Sequence, residues 1–139
     1  MSFGAAASAH RGHRLASDAP CPCGRRGFGS CCGPVLDGRA ADTPEDLMRS
    51  RYTAFALGHA RHLVDTWFPR TRPDDLAIDP GIEWMGLDVL DSDTDPDGRS
   101  GRVHFRATWR EKATRELATM EERSRFVRRG GRWYYVEAL

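Results

Sequence analysis

Apolar residues recur at helical spacing from Leu47. On a wheel of about 100° per residue, Leu47, Met48, Tyr52 and Phe55 fall in one arc of about 140°. Thr43 is suited to cap this helix, Pro44 to occupy its first position, and Glu45 and Asp46 to meet its positive end. Gly58 ends it. A second helix is predicted from about residue 59 to 68, with Ala60, Leu63, Val64 and Trp67 as its apolar stripe, His62 off the stripe in solvent, and Pro69 as its stop. Beyond it the period changes to two. Val103, Phe105, Ala107 and Trp109 alternate with His104, Arg106, Thr108 and Arg110, so one face of this strand is apolar and the other wet. Strands are predicted over 82–90, 101–110, about 116–127 and 132–137, with turns at Asp95-Pro96-Asp97-Gly98 and Gly130-Gly131. Two helices followed by an antiparallel meander predict an α+β fold, a cone-shaped sheet closed by helices on its concave side.

Two charged residues fall on faces that should be buried. Arg51 lies inside the apolar arc of the first helix. In the third strand Glu122 shares a face with Ala118, Met120, Ser124 and Phe126. Neither charge is stable alone in a core, which predicts an Arg51–Glu122 ion pair inside the cone. Tyr52, Trp67, Trp84 and Ser124 would complete the interior around it.

The chain has 139 residues, room for one ordinary domain and a small appendage. Twenty-one basic and twenty acidic side chains leave a net charge of +1, which excludes a polyanion binder driven by bulk charge. The charge is segregated. Residues 72–100 hold nine acids against two arginines, and residues 101–139 hold ten basic residues against five acids. A basic strand face made by Arg102, Arg106, Arg110, Arg123, Arg125, Arg128, Arg129 and Arg132 would be the route to RNA contact. No apolar run reaches the roughly 18 residues of a membrane span, and no secretory leader is visible, so a cytoplasmic protein is expected. Residues 1–19 carry too little apolar surface to order themselves and read as a disordered arm.

All four cysteines fall within twelve positions: Cys21-Pro22-Cys23, a gap of seven residues, then Cys31-Cys32. Two disulfides would require an oxidising compartment and a strained vicinal ring if Cys31 and Cys32 paired. A catalytic thiol is more often a single cysteine with a distant base. A closed tetrathiolate site for one structural Zn²⁺ fits best: it needs four soft ligands, the turns that Gly24, Gly27, Gly29 and Gly33 allow, and nearby cations such as Arg25 and Arg26 to offset its negative charge.

The run Cys21-Pro22-Cys23-Gly24 … Cys31-Cys32-Gly33-Pro34 resembles the SEC-C motif, a small zinc module also found at the C-terminus of the SecA translocation ATPase. The gap between second and third ligands is one residue shorter than is usual there. Further on, Leu47-Met48-Arg49-Ser50-Arg51-Tyr52-Thr53-Ala54-Phe55, Thr66-Trp67, Glu122-Arg123-Ser124-Arg125-Phe126-Val127 and Gly131-Arg132-Trp133-Tyr134-Tyr135-Val136 are similar to the YchJ family of bacterial SEC-C proteins. The resemblance covers about residues 20 to 139. It implies a zinc module at 20–40 and an NTF2-like α+β domain at 41–139.

Three functions follow as expectations. In the first, the zinc module is an adaptor whose tip, Arg25, Arg26 and Phe28, meets a partner protein or the ribosome. In the second, the NTF2-like cone binds or transforms a small molecule among Arg51, Tyr52, Trp67, Glu122 and Ser124. The third is RNA binding through the basic strand face. No nucleophile–base pair, phosphate loop or second metal cluster is visible in the sequence, so the reading leans away from an enzyme. The first expectation is preferred.

Overall fold

The computed structural model describes residues 13–139. The cysteine segment folds first, as a 3-10 turn at Phe28–Ser30 and a short helix α1 (Cys32–Leu36). Helix α2 (Pro44–Leu57) begins as its residues require: the Thr43 hydroxyl accepts from the Asp46 amide at 3.0 Å, and Glu45 and Asp46 lie in the first turn. It ends at Gly58, whose φ of +81° places it in the left-handed region that closes helices. Helix α3 is shorter than expected, Ala60–Asp65. Its remaining residues leave the helical path because Trp67 forms a parallel bridge with Tyr135, in which Phe68 donates its amide to the Tyr135 carbonyl at 2.7 Å and Tyr135 donates to Thr66 at 2.8 Å. Thr66 to Phe68 thereby covers the edge of the sheet.

Four antiparallel strands follow in sequence order, β1 (Ile82–Thr94), β2 (Ser100–Glu111), β3 (Leu117–Arg129) and β4 (Arg132–Ala138). Strand β1 runs four residues past its expected end because Asp91 to Thr94 pair with Gly101 to His104 across the turn. Val103, Phe105 and Ala107 are buried under the helices, and across the ladder they face Ser124, Glu122 and Met120. Glu122 therefore points inward, as its strand phase predicts. On the outer face, Arg102 pairs with Asp93 and Asp95, Arg106 with Glu121, Arg110 with Glu83, and Arg125 with Glu137. The segregated acids and bases of the sequence meet across strands, so four arginines of the expected basic face are already paired.

The core does not stop at the module boundary. One cluster of buried residues runs from the four cysteines and Phe28 through Ala41, Leu47, Met48 and Tyr52 to Val103, Phe105, Phe126 and Trp133. The expected boundary near residue 40 divides elements rather than cores. Residues 1–12 of the expected disordered arm lie outside the described residues, and 13–19 are held in place. His13 donates its amide to Leu57 at 2.8 Å, the Ser17 and Ala19 carbonyls accept from Gly29 and Phe28, and Arg14 forks onto Asp37 at 2.8 and 3.1 Å. Arm and module satisfy each other's backbone groups, which offsets the ordering cost that composition alone suggested would prevail.

Among the described residues, no helix is long and apolar enough to cross a membrane.

Candidate functional sites: a cysteine cluster and an adjoining cleft

Cys21, Cys23, Cys31 and Cys32 are all buried, and their sulfur atoms lie within 4.8 Å of one another. None is joined in a disulfide. The Cys23 and Cys31 sulfurs stand 3.4 Å apart, well beyond the roughly 2.05 Å of an S–S bond. Tetrahedral coordination at about 2.3 Å places sulfurs about 3.8 Å from each other, so the spread suits four ligands around one ion. The short gap between the second and third cysteines is absorbed by Gly24 at a φ of +84° and by the tight Phe28–Ser30 turn. Gly33 is required for another reason: a Cβ there would meet the Phe28 carbonyl at 2.8 Å. Without an ion the thiols compete for protons. Hydrogen bonds from Cys23 and Cys32 push Cys21 down toward thiolate, and the same sharing with Cys21 raises Cys23 to about 11 and Cys32 further still.

Helix α2 supplies the surroundings of the cluster. The Thr53 hydroxyl, fully buried, donates to the Cys32 sulfur at 3.2 Å and lies 3.7 Å from that of Cys21. Arg49 donates to the Cys23 carbonyl at 3.1 Å and pairs with Glu45 at 2.8 Å. Arg25 pairs with Asp46 at 2.8 Å and reaches Glu45 at 3.6 Å. The cations beside the sulfurs are therefore Arg25, near Cys31, and Arg49, near Cys23. Arg26, expected in this role, is exposed instead. Glu45, Arg49 and Thr53 recur every four residues on one face of α2, so a pattern was present in the sequence. It was obscured because no sequence rule ties that face to the cysteines.

This geometry changes the expected contact tip. Phe28 is 5% exposed and packs inside the module, and Arg25 is committed to α2. Of the three tip residues, Arg26 alone is presented to solvent.

The expected ion pair inside the cone does not form: no Arg51–Glu122 salt bridge is present. Arg51 is 3% exposed, donates to the Leu63 carbonyl at 2.9 Å and to Thr66 Oγ1 at 2.7 Å, and lies against the rings of Trp67 and Tyr135 at 5.0 and 4.7 Å, which pack edge-on to each other. Aromatic faces and carbonyl oxygens replace the carboxylate. Burial lowers its pKa to about 10 against weaker support from Tyr135 and Glu122. Glu122 joins the group at one remove, accepting from Ser124 at 2.5 Å and from the Tyr135 hydroxyl at 3.3 Å. Arg51, Trp67, Glu122 and Ser124 thus form one network. Tyr52 is outside it, edge-on to Trp84 at 5.7 Å.

A cleft opens elsewhere. A cleft of about 790 Å³ runs between the module (Val35, Leu36 and Gly38 to Ala41), the α3 region (His59, Arg61, His62, Asp65 and Thr66) and Arg132 to Tyr134 of β4. None of the five expected cone residues lines it. His62, expected in solvent, is half-buried on its wall and hydrogen-bonded to Ser50 at 2.9 Å. Burial, with Arg51 and His59 adding repulsion, lowers its pKa to about 3, so it is neutral at physiological pH.

A four-cysteine module sharing the core of a four-stranded, helix-covered sheet defines a SEC-C module joined to an NTF2-like domain. Residues 43–138 match the family described as YchJ, middle NTF2-like domain. The chain is 47% identical to a UPF0225 protein of Streptomyces coelicolor, covering 85% of this chain and 93% of that one. It is 45% identical to a UPF0225 protein of Methylibium petroleiphilum, covering 85% and 86%. Among solved structures, it is similar to RPA3114, a SEC-C motif containing protein from Rhodopseudomonas palustris, with a TM-score of 0.76, 36% identity and coverage of 86% and 96%. A SEC-C motif containing protein from Psychrobacter arcticus aligns with a TM-score of 0.73 at 28% identity, covering 87% of this chain and 82% of that one. The chain belongs to the YchJ-like UPF0225 family.

Proposed function

We propose that this protein binds a small molecule in the cleft between its module and its NTF2-like domain, and that the four cysteines hold one structural Zn²⁺ that keeps the module in place as a wall of that cleft. The carrying observation is the cleft's composition: its lining comes from five chain segments, one of them the loop that leaves the cysteine cluster. Its volume lies within the range of ordinary ligand sites. Cys21, Cys23, Cys31 and Cys32 would ligate the ion, leaving no open position, so the ion supplies cohesion rather than Lewis-acid chemistry. Free, clustered thiols suit a reducing compartment, which supports a cytoplasmic location.

This reading moves the small-molecule function from the cone interior to the junction. Arg51 and its neighbours then act as a packed support under α3. The adaptor reading retains only Arg26 from its proposed tip, and the RNA reading retains an outer face on which four arginines are neutralised. A ligand-detected fragment screen by NMR tests the proposal. Binders should shift the Trp133 indole signal and be displaced by Ala40→Trp, which fills the cleft. Fragments that ignore Trp133 and survive that substitution would contradict it.

A further inference from the structure

Resting on the cleft reading above, we infer that the occupant is an amphipathic organic anion: an apolar body with one acidic group and a hydrogen-bond donor. Four arginines and one carboxylate, Asp65, line the cleft. Three of the arginines are engaged to different degrees. Arg14 is held bidentately by Asp37, Arg61 pairs with Asp65 at 3.1 Å, and Arg39 has only a 3.7 Å contact with Asp42 between two well-exposed side chains. Arg132 has no carboxylate partner among the described residues. Its guanidinium donates to the Gly38 carbonyl at 3.0 Å, which anchors it beside Arg39 and leaves further N–H donors free. The two guanidinium groups come from β4 and from the module loop, so an acidic group between them would tie the two walls together.

The donor requirement comes from His62. Ser50 gives its hydroxyl proton to the Leu47 carbonyl at 2.8 Å, so at the 2.9 Å contact with His62 the Ser50 oxygen must accept. His62 therefore carries its proton on Nε2, and Nδ1 is left as a lone-pair acceptor in the cleft wall. Its depressed basicity keeps that lone pair available. The apolar requirement comes from Val35, Leu36, Leu47 and Trp133, which share the lining. Trp133, 5% exposed, has its indole N–H buried beneath this lining, where it reports on what the cleft holds.

Anilinonaphthalene sulfonate and neutral phenyl-naphthylamine make a matched pair of probes, sharing the aromatic body and the amine N–H and differing in the sulfonate. Titrations of the full chain should show the anionic dye binding about tenfold more tightly, with the Trp133 indole resonance shifting for both. Arg132→Gln, at an exposed position, should weaken the anionic dye about tenfold and leave the neutral dye unchanged; Arg39→Gln serves as the second variant. His62→Phe should weaken both dyes by the same several-fold factor. Equal affinities, no effect of either arginine substitution, or unchanged binding in His62→Phe, with Trp133 still responding, would overturn the assigned ligand class and leave the cleft standing. Binding that leaves Trp133 unmoved would remove the cleft reading as well.

Discussion

The cysteine cluster and the Arg51 network both bury polar groups that water would otherwise solvate, and they solve the problem differently. Around Arg51 the partners are protein groups: two aromatic rings, the Leu63 carbonyl and the Thr66 hydroxyl. Around the cysteines it supplies two guanidinium groups and a threonine hydroxyl, yet four thiols within 4.8 Å still compete for the same protons. The first site is built from protein groups alone, whereas the second presents the donor set of a metal site. With the proposed Zn²⁺ in that site, part of the protein's stability would depend on metal supply, and so would the cleft wall.

The largest test of this contrast is Cys23→Ser. It should abolish stoichiometric zinc and, because the core is continuous, lower the stability of the whole chain by about 4 kcal/mol or more, a fall of about 10 °C or more in Tm. A calorimetric transition that keeps its midpoint would separate module from domain. Next is Arg51→Met, expected to cost about 2–4 kcal/mol in denaturant unfolding by removing the stacked cation and leaving the Leu63 carbonyl unsatisfied. Glu122→Gln should cost less than about 1 kcal/mol, since no ion pair is broken. A loss of about 3–5 kcal/mol there would mean that Arg51 relies on the carboxylate after all.

His62 gives the most graded effect. Its folded pKa of about 3 lies below the ordinary 6.5, so the native state binds fewer protons than the unfolded chain between those values. Its contribution is complete above about pH 6.5 and declines as pH falls toward 3, with a slope of up to about 1.4 kcal/mol per pH unit. Acid also protonates the thiols, so the measurement is the difference between wild type and His62→Gln at pH 7 and pH 5. That difference should shrink at the lower pH, and a constant difference would show that His62 is solvated.

Much of the frame was legible in the sequence. Thr43-Pro44 and Gly58 bound α2 in the structure, the alternation from Val103 to Trp109 marks β2, and the cysteine spacing points to a four-ligand cluster. Local signals carried these readings. The errors share a cause, which is long-range packing. Arg51 was expected to seek charge because Trp67 and Tyr135, the two rings it rests against, are distant in sequence. His62 lies off the apolar stripe of its own helix, yet Ser50 of α2 claims it. Phe28 and Arg25 read as an exposed tip because nothing local shows that Phe28 turns into the module or that Asp46 of α2 claims Arg25. The cleft was hidden for the same reason, its walls at 35–41, 59–66 and 132–134 meeting only after folding.

Stepwise metal removal followed by amide NMR tests the central claim most directly. Purified protein should carry one equivalent of zinc per chain, and chelation should perturb Thr53 and Arg49 in α2 and the Trp133 indole in the cleft in step with the residues around the cysteines. Protein that binds no metal, or chelation that perturbs residues 20–40 alone, would contradict it.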